Sequence, residues 1–135
     1  MQIQQMIATH PQVKGSTNDA LIRVIEQALE CAQICRACAD SCLAEEQIAM
    51  LRQCIRLDLD CADVCDTTAK LAGRRTGSNE ELILNMLQVC ADACAKCAEE
   101  CERHAGKHEH CRICAETCRR CETACRTAAP TIRAH

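Results

Sequence analysis

Sixteen of the 135 residues are cysteine, and their spacing decides what chemistry they can do. Cys31, Cys35, Cys38 and Cys42 follow one another at intervals of four, three and four, and Cys90, Cys94, Cys97 and Cys101 repeat that pattern. Cys111, Cys114, Cys118, Cys121 and Cys125 continue the same rhythm. Cys54, Cys61 and Cys65 form a fourth row, in which the slot after Cys54 is held by an acid, Asp58. At about 100° per residue such intervals keep each row within a wedge of roughly 60° on a helix, narrower than an ordinary amphipathic stripe. The residues between are mostly Ala, Glu, Asp, Arg and Gln, so the thiol face is the expected core. One or two buried cysteines behave as small hydrophobes, but sixteen in phase require a dedicated ligand.

The choice of ligand follows from geometry and charge. Residues four apart on a helix have Cβ atoms about 5–6 Å apart, whereas a disulfide wants roughly 3.5–4.5 Å, so bridges could join only some pairs between helices. Zinc knuckles set their cysteines on tight turns rather than on continuous helices, and the Cys-x2-Cys-x2-Cys-x3-Cys-Pro signature of iron–sulfur sites is absent. Soft thiolates also select Cu(I), which accepts two sulfurs in near-linear geometry, so that every Cys-x3-Cys is a ready clamp. Ionising all sixteen thiols would take the net charge from −3 to −19, and a bundle interior cannot hold that charge unpaired. Zn²⁺ in four-thiolate sites neutralises half of it; about one Cu⁺ per thiolate neutralises all of it. The expected cargo is therefore several Cu(I) ions per chain. Two alternatives share these residues: a thiol-redox protein cycling disulfides between helices, and a zinc or cadmium buffer of metallothionein type.

Other soft or titratable groups accompany the thiols. His104 continues a cysteine row three residues past Cys101, His108 and His110 follow closely, and Met50 lies one turn before Cys54. Imidazole and thioether both bind Cu(I), so these residues mark a candidate mouth, with His104 foremost as ligand or gate and Met50 as core filler or relay. Asp58 is too hard to be a preferred Cu(I) ligand; buried among thiols it would have a raised pKa and hydrogen-bond them, unless it turned outward or paired with an arginine. His10, beside Pro11, and His135 carry no expected role.

These groups need four long helices to position them. Residues 1 to 10 suit a short helix ended by Pro11. A second helix runs from Thr17 to Leu43 behind N-cap residues, a third from about Glu46 to Ala72, broken by Gly73 and Gly77. A fourth starts at Ser78, where Ser78 and Glu81 have capping-box spacing, and runs to Ala105 with Gly106 as its cap. The last spans Glu109 to Ala128, before Pro130. The expectation is an all-α protein, an antiparallel four-helix bundle with a short N-terminal helix, forming one domain over residues 1–135. Antiparallel packing gathers Leu21, Val24, Ile25, Leu71, Leu82, Ile83, Met86 and Leu87 into a thiol-free plug at one end. The histidines and Cys42, Cys101 and Cys111 fall at the other.

Composition excludes other classes. There is no Phe, Tyr or Trp to stack on bases and no basic excess to hold phosphates, so nucleic acid is not an expected partner. No run of about eighteen apolar residues offers a membrane span. The start Met1-Gln-Ile-Gln-Gln-Met-Ile does not read as a signal peptide, which points to a reducing cytosol where thiols stay free for metal.

Taken together, the segments Met6-Ile-Ala-Thr-His10-Pro11, Glu30 to Cys42, its echo at Cys90 to Cys101, and Cys111 to Cys125 resemble the bacterial four-helix-bundle copper storage proteins over essentially the whole chain. The resemblance implies a bundle whose inward cysteines load many Cu(I) ions, and homo-oligomers of tetrameric type; the corresponding expectation is storage that protects against copper toxicity, with copper chaperones as candidate partners. Exported members carry a twin-arginine leader; here Arg74-Arg75 falls between helices, which implies the cytosolic branch. Asp58 and the sparse cysteines around it depart from the family's pattern.

Overall fold

A computed structural model describes residues 2–132; Met1 and residues 133–135, His135 among them, lie outside the described residues. The helices are α1 (Gln2–Ala8), α2 (Asp19–Leu43), α3 (Arg52–Ala72), α4 (Glu80–His104) and α5 (Glu109–Ala128), with short 3₁₀ turns at Ile48–Leu51 and Ala129–Thr131. Among the described residues there is no strand. Helix α2 packs on α3 and α5, and α4 packs on the same two, so the four long helices close into a square around one axis. Short connections make neighbours antiparallel, as expected for a bundle.

Local chemistry explains most boundaries. Asn18 caps α2 by accepting the Leu21 amide on its side-chain oxygen at 3.1 Å. The expected capping box of α4 does not form: Asn79 is the N-cap, it makes no side-chain cap bond, and the Ser78 hydroxyl is spent on the carboxylate of Glu80. Gly106 follows α4 without a left-handed turn; instead the His108 amide bonds the His104 carbonyl at 2.9 Å and leads directly into α5. Gly15 and Gly77 are the glycines with positive φ, 83° and 73°, and both lie in connections. His10 has a structural task after all. Its Nε2 lies 3.0 Å from the Thr76 hydroxyl and its Nδ1 accepts the Gln12 amide, which ties the N-terminal segment to the α3–α4 connection.

The core has two parts. At one end Leu21, Ile22, Val24, Ile25, Ile83 and Leu87 are buried, with Ile7 of α1 laid over them. Leu82 does not join this plug: it is 49% exposed, because Ile83 and Leu87 already take the inward face of that turn. Leu71 and Met86 are half-buried at its margin. From Ala28 onward the interior is mostly thiol and alanine, with Asp58, Leu51, Thr68 and Thr117 among them, and Ala32, Ala62, Ala91 and Ala98 beside the cysteines let the backbones approach closely.

Candidate metal centre

All sixteen cysteines are buried, none more than 2% exposed, and none is in a disulfide. The sulfurs lie close both along and between helices. Cys31 and Cys35 are 3.8 Å apart and Cys61 and Cys65 3.9 Å, the one-turn pairs that the spacing implies. Cys118 closes on Cys31 and Cys35 at 3.7 and 3.6 Å, and Cys65 reaches Cys94 and Cys90 at 3.7 and 3.8 Å.

Quartets with every ligand atom within 4.8 Å of the others include Cys31, Cys65, Cys94 and Cys121; Cys31, Cys35, Cys61 and Cys118; Cys35, Cys97, Cys114 and Cys118; and Cys38, Cys42, Cys54 and Cys111. Successive quartets share sulfurs, Cys31 between the first two and Cys35 with Cys118 between the next. This is the arrangement bridging thiolates need, and separate tetrahedral sites would not share ligands in this way.

Electrostatics inside the array follow from burial and mutual hydrogen bonding. Burial pushes the Cys42 thiol up to about 12, with the nearby Cys54 and Asp58 charges adding to it. Other thiols go the other way: Cys61 is held below its ordinary value by hydrogen bonding with its neighbours, first Cys118 and then Cys31 and Cys35. Cys35 and Cys94 keep their protons more tightly, through their contacts with Cys114 and Cys121 first and through burial. A metal-free array thus retains most of its protons, and a soft cation must displace them.

Asp58 points inward and is fully buried, and among the described residues its hydrogen-bond partners are thiols. Its Oδ1 accepts from Cys97 at 3.1 Å, Cys114 at 3.3 Å and Cys101 at 3.6 Å, while Oδ2 faces Cys54 at 4.0 Å. Its carboxyl is pushed up to about 9, by burial first and then by the negative charge that Cys114 and Cys54 would carry on ionising. Together with Cys38, Cys54 and Cys101 it forms a further candidate ligand group, which joins the outer quartet to the inner ones.

The histidine end differs from the sequence expectation in which ring meets the thiols. That ring is His110, whose Nδ1 lies 3.5 Å from Cys38 Sγ and 3.7 Å from Cys111 Sγ. His104 turns back to the buried Glu100, 2.8 Å from Nε2 to carboxylate. His108 faces Glu45 at 2.5 Å and stacks on His110 with ring centroids 5.5 Å apart. The signal for His110 was available, since it lies four residues before Cys114 and so continues that row. Glu100 was likewise visible one turn before His104. Glu45, which bonds His110 from 65 positions away, left no trace in local spacing. The hydrogen bond from His110 is the main reason the Glu45 carboxyl sits below the usual range. Met50 is not core filler: it is 60% exposed, and the neighbouring Leu51, 1% exposed, takes the inward position of that 3₁₀ turn.

Comparison with known proteins agrees with this geometry. Residues 17–130 match the family Csp, copper storage protein. The chain is similar to the copper storage protein Ccsp from Streptomyces lividans loaded with 10 copper equivalents, at 49% identity and a TM-score of 0.91, covering 95% of this chain and 98% of that one. It is similar as well to a cytosolic copper storage protein from Streptomyces lividans with five coppers, at 54% identity and a TM-score of 0.82, over 83% of this chain and 93% of that one. The Cu(I)-bound copper storage protein BsCsp3 matches at 37% identity and a TM-score of 0.70, over 78% of this chain and 94% of that one.

Proposed function

The chain belongs to the copper storage protein family, and from that premise we propose that it sequesters and stores many Cu(I) ions in the cytosol, limiting copper toxicity. The observation that carries this reading is the set of sixteen buried thiols, most of them in close groups of four of which several share sulfurs. The proposed ligands are all sixteen cysteines, with His110 at the mouth, Asp58 between the outer and inner thiols, and His104 and His108 as groups that pass the ion inward. Met50, out in solvent, is left out of this set. The protein acts by binding, as a single domain. No helix among the described residues is long and apolar enough to cross a membrane.

Assembly as a homotetramer and exchange with copper chaperones complete the reading. Exposed apolar side chains on the outer faces of the helices, Leu29, Leu59, Leu82 and Val89 among them, support self-association. Redox cycling is disfavoured because it needs accessible thiols, and here every one is buried.

The test is an anaerobic titration with Cu(I) and Zn²⁺ in parallel against a competing chelator. Charge neutrality in the core predicts saturation on the order of 16–20 Cu(I) per chain and far less Zn²⁺. Saturation at about four ions would replace the shared array with discrete tetrahedral sites.

A further inference from the structure

Glu45 lies between the end of α2 and the 3₁₀ turn that leads into α3, outside the thiol core. One of its oxygens, Oε2, is 2.5 Å from Nδ1 of His108 and 3.2 Å from Nε2 of His110. An ionised carboxylate can only accept, so both nitrogens facing it must carry hydrogen, and in a neutral imidazole the other nitrogen is then a lone pair. The two rings are therefore held in opposite tautomers. For His110 the free nitrogen is Nδ1, the atom that faces the sulfurs of Cys38 and Cys111. The stacking of His108 on His110 lets the same carboxylate steady both rings at once.

We propose that Glu45 is a positioning residue for copper uptake: it holds His110 in the tautomer and orientation that offer the Nδ1 lone pair to a Cu(I) ion on its way to Cys38 and Cys111. The inference rests on the reading of His110 as a mouth ligand. A carboxylate behind a ligating imidazole fixes the ring and raises its basicity, and losing it typically weakens the site about 10- to 100-fold. Glu45 is suited to this because it bridges two parts of the chain, the α2–α3 connection and the first turn of α5. Glu100, by contrast, binds His104 within a single helix, four residues away.

The experiment compares the full-length wild type with Glu45→Ala, Glu45→Gln and His110→Ala. Long-range ¹H–¹⁵N spectra of the metal-free proteins report the imidazole tautomers, and stopped-flow transfer of Cu(I) from a chelator reports uptake. In Glu45→Ala, His110 is expected to lose its Nε2–H preference and uptake to slow about tenfold, with the final copper count unchanged. Glu45→Gln, whose amide oxygen still accepts, should fall between the two. An unchanged His110 tautomer in Glu45→Ala overturns the proposal, as does wild-type uptake by Glu45→Ala when His110→Ala is slow. Wild-type uptake by His110→Ala overturns the mouth reading itself; a tautomer change in Glu45→Ala alongside it would show that Glu45 sets the ring but that the ring does not serve uptake.

Discussion

The two ends of the bundle solve the same problem, closing a four-helix interior, with opposite chemistries. At the plug end Val24, Ile25, Ile83 and Leu87 fill the axis with branched aliphatic side chains, and α1 adds Ile7 across them. At the mouth the axis ends in Cys38, Cys42 and Cys111, covered by imidazoles that are 16–25% exposed and tied to carboxylates. An aliphatic closure excludes water and ions and stabilises the fold by area removed from water. A closure of hydrogen-bonded imidazoles contributes less stability but exchanges ligands readily. Stability and access are thus separated along the axis, with the thiol array between them, and each part can be altered alone.

The largest expected effect bears on the array itself. Copper binds the folded array and not the unfolded chain in comparable form, and each site held at 1,000 times its Kd adds about 4 kcal/mol. Several such sites should raise the melting temperature by tens of degrees over the apo protein, read by circular dichroism under anaerobic conditions. A melting curve indifferent to Cu(I) would place the metal outside the core.

Next comes the plug. Leu87→Ala removes a side chain that is 1% exposed and should cost the apo protein about 2–5 kcal/mol in chemical denaturation. The copper count per chain should stay as in the wild type. A drop in copper count would mean that the two ends are not separable.

The mouth should respond in the reverse sense. Replacing His104 and His108 with alanine is expected to slow Cu(I) loading while leaving capacity and apo stability nearly unchanged, within about 1 kcal/mol, because the buried Glu100 keeps its ion pair with Arg103 and Glu45 keeps its bond to His110. Loading at wild-type speed would remove the gate role of these two rings and leave access to His110 alone.

How much of this was legible in the sequence differs between the same two regions. The helices and the buried thiol rows follow from period alone, because the inward positions, the cysteines and Asp58 together, repeat at three or four residues along each helix, and that is the only information a helix face needs. The plug was legible except at its edges: Leu82 and Ile83 are adjacent, and period alone does not say which of the two turns inward. The mouth was the least legible. Its contacts, Glu45 to His110 and Cys38 to His110, cross 65 and 72 positions and depend on how a connection folds back over the bundle end. The Met50 and Leu51 pair shows the same limit, since a 3₁₀ turn shifts the inward position by one residue relative to an α-helix.

The smallest expected effect is the most specific, because it lies at the seam between mouth and array. Asp58 occupies a thiol slot and accepts from Cys97, Cys101 and Cys114, so Asp58→Asn keeps the shape and an acceptor oxygen while removing the titrating proton. In the metal-free fold this carboxyl is pushed from its ordinary value of 3.8 up to about 9. Between those two values the folded protein keeps a proton that the unfolded chain has released, so this group makes the apo protein less stable as pH rises through that window. Below the ordinary value both states are protonated and the cost vanishes. Asp58→Asn should therefore flatten the loss of apo stability from pH 5 to pH 8 relative to the wild type, a difference that cancels the common contribution of the thiols. Copper capacity should change by no more than about one ion, since the sixteen thiolates still set the charge balance. The order in which the first ions settle should change, because the group joining the outer quartet to the inner ones has lost its acid. Denaturation at several pH values and an early-equivalents titration followed by thiolate-to-copper absorbance read the two effects separately. A pH slope and early loading both identical to wild type would leave Asp58 as a space-filling residue.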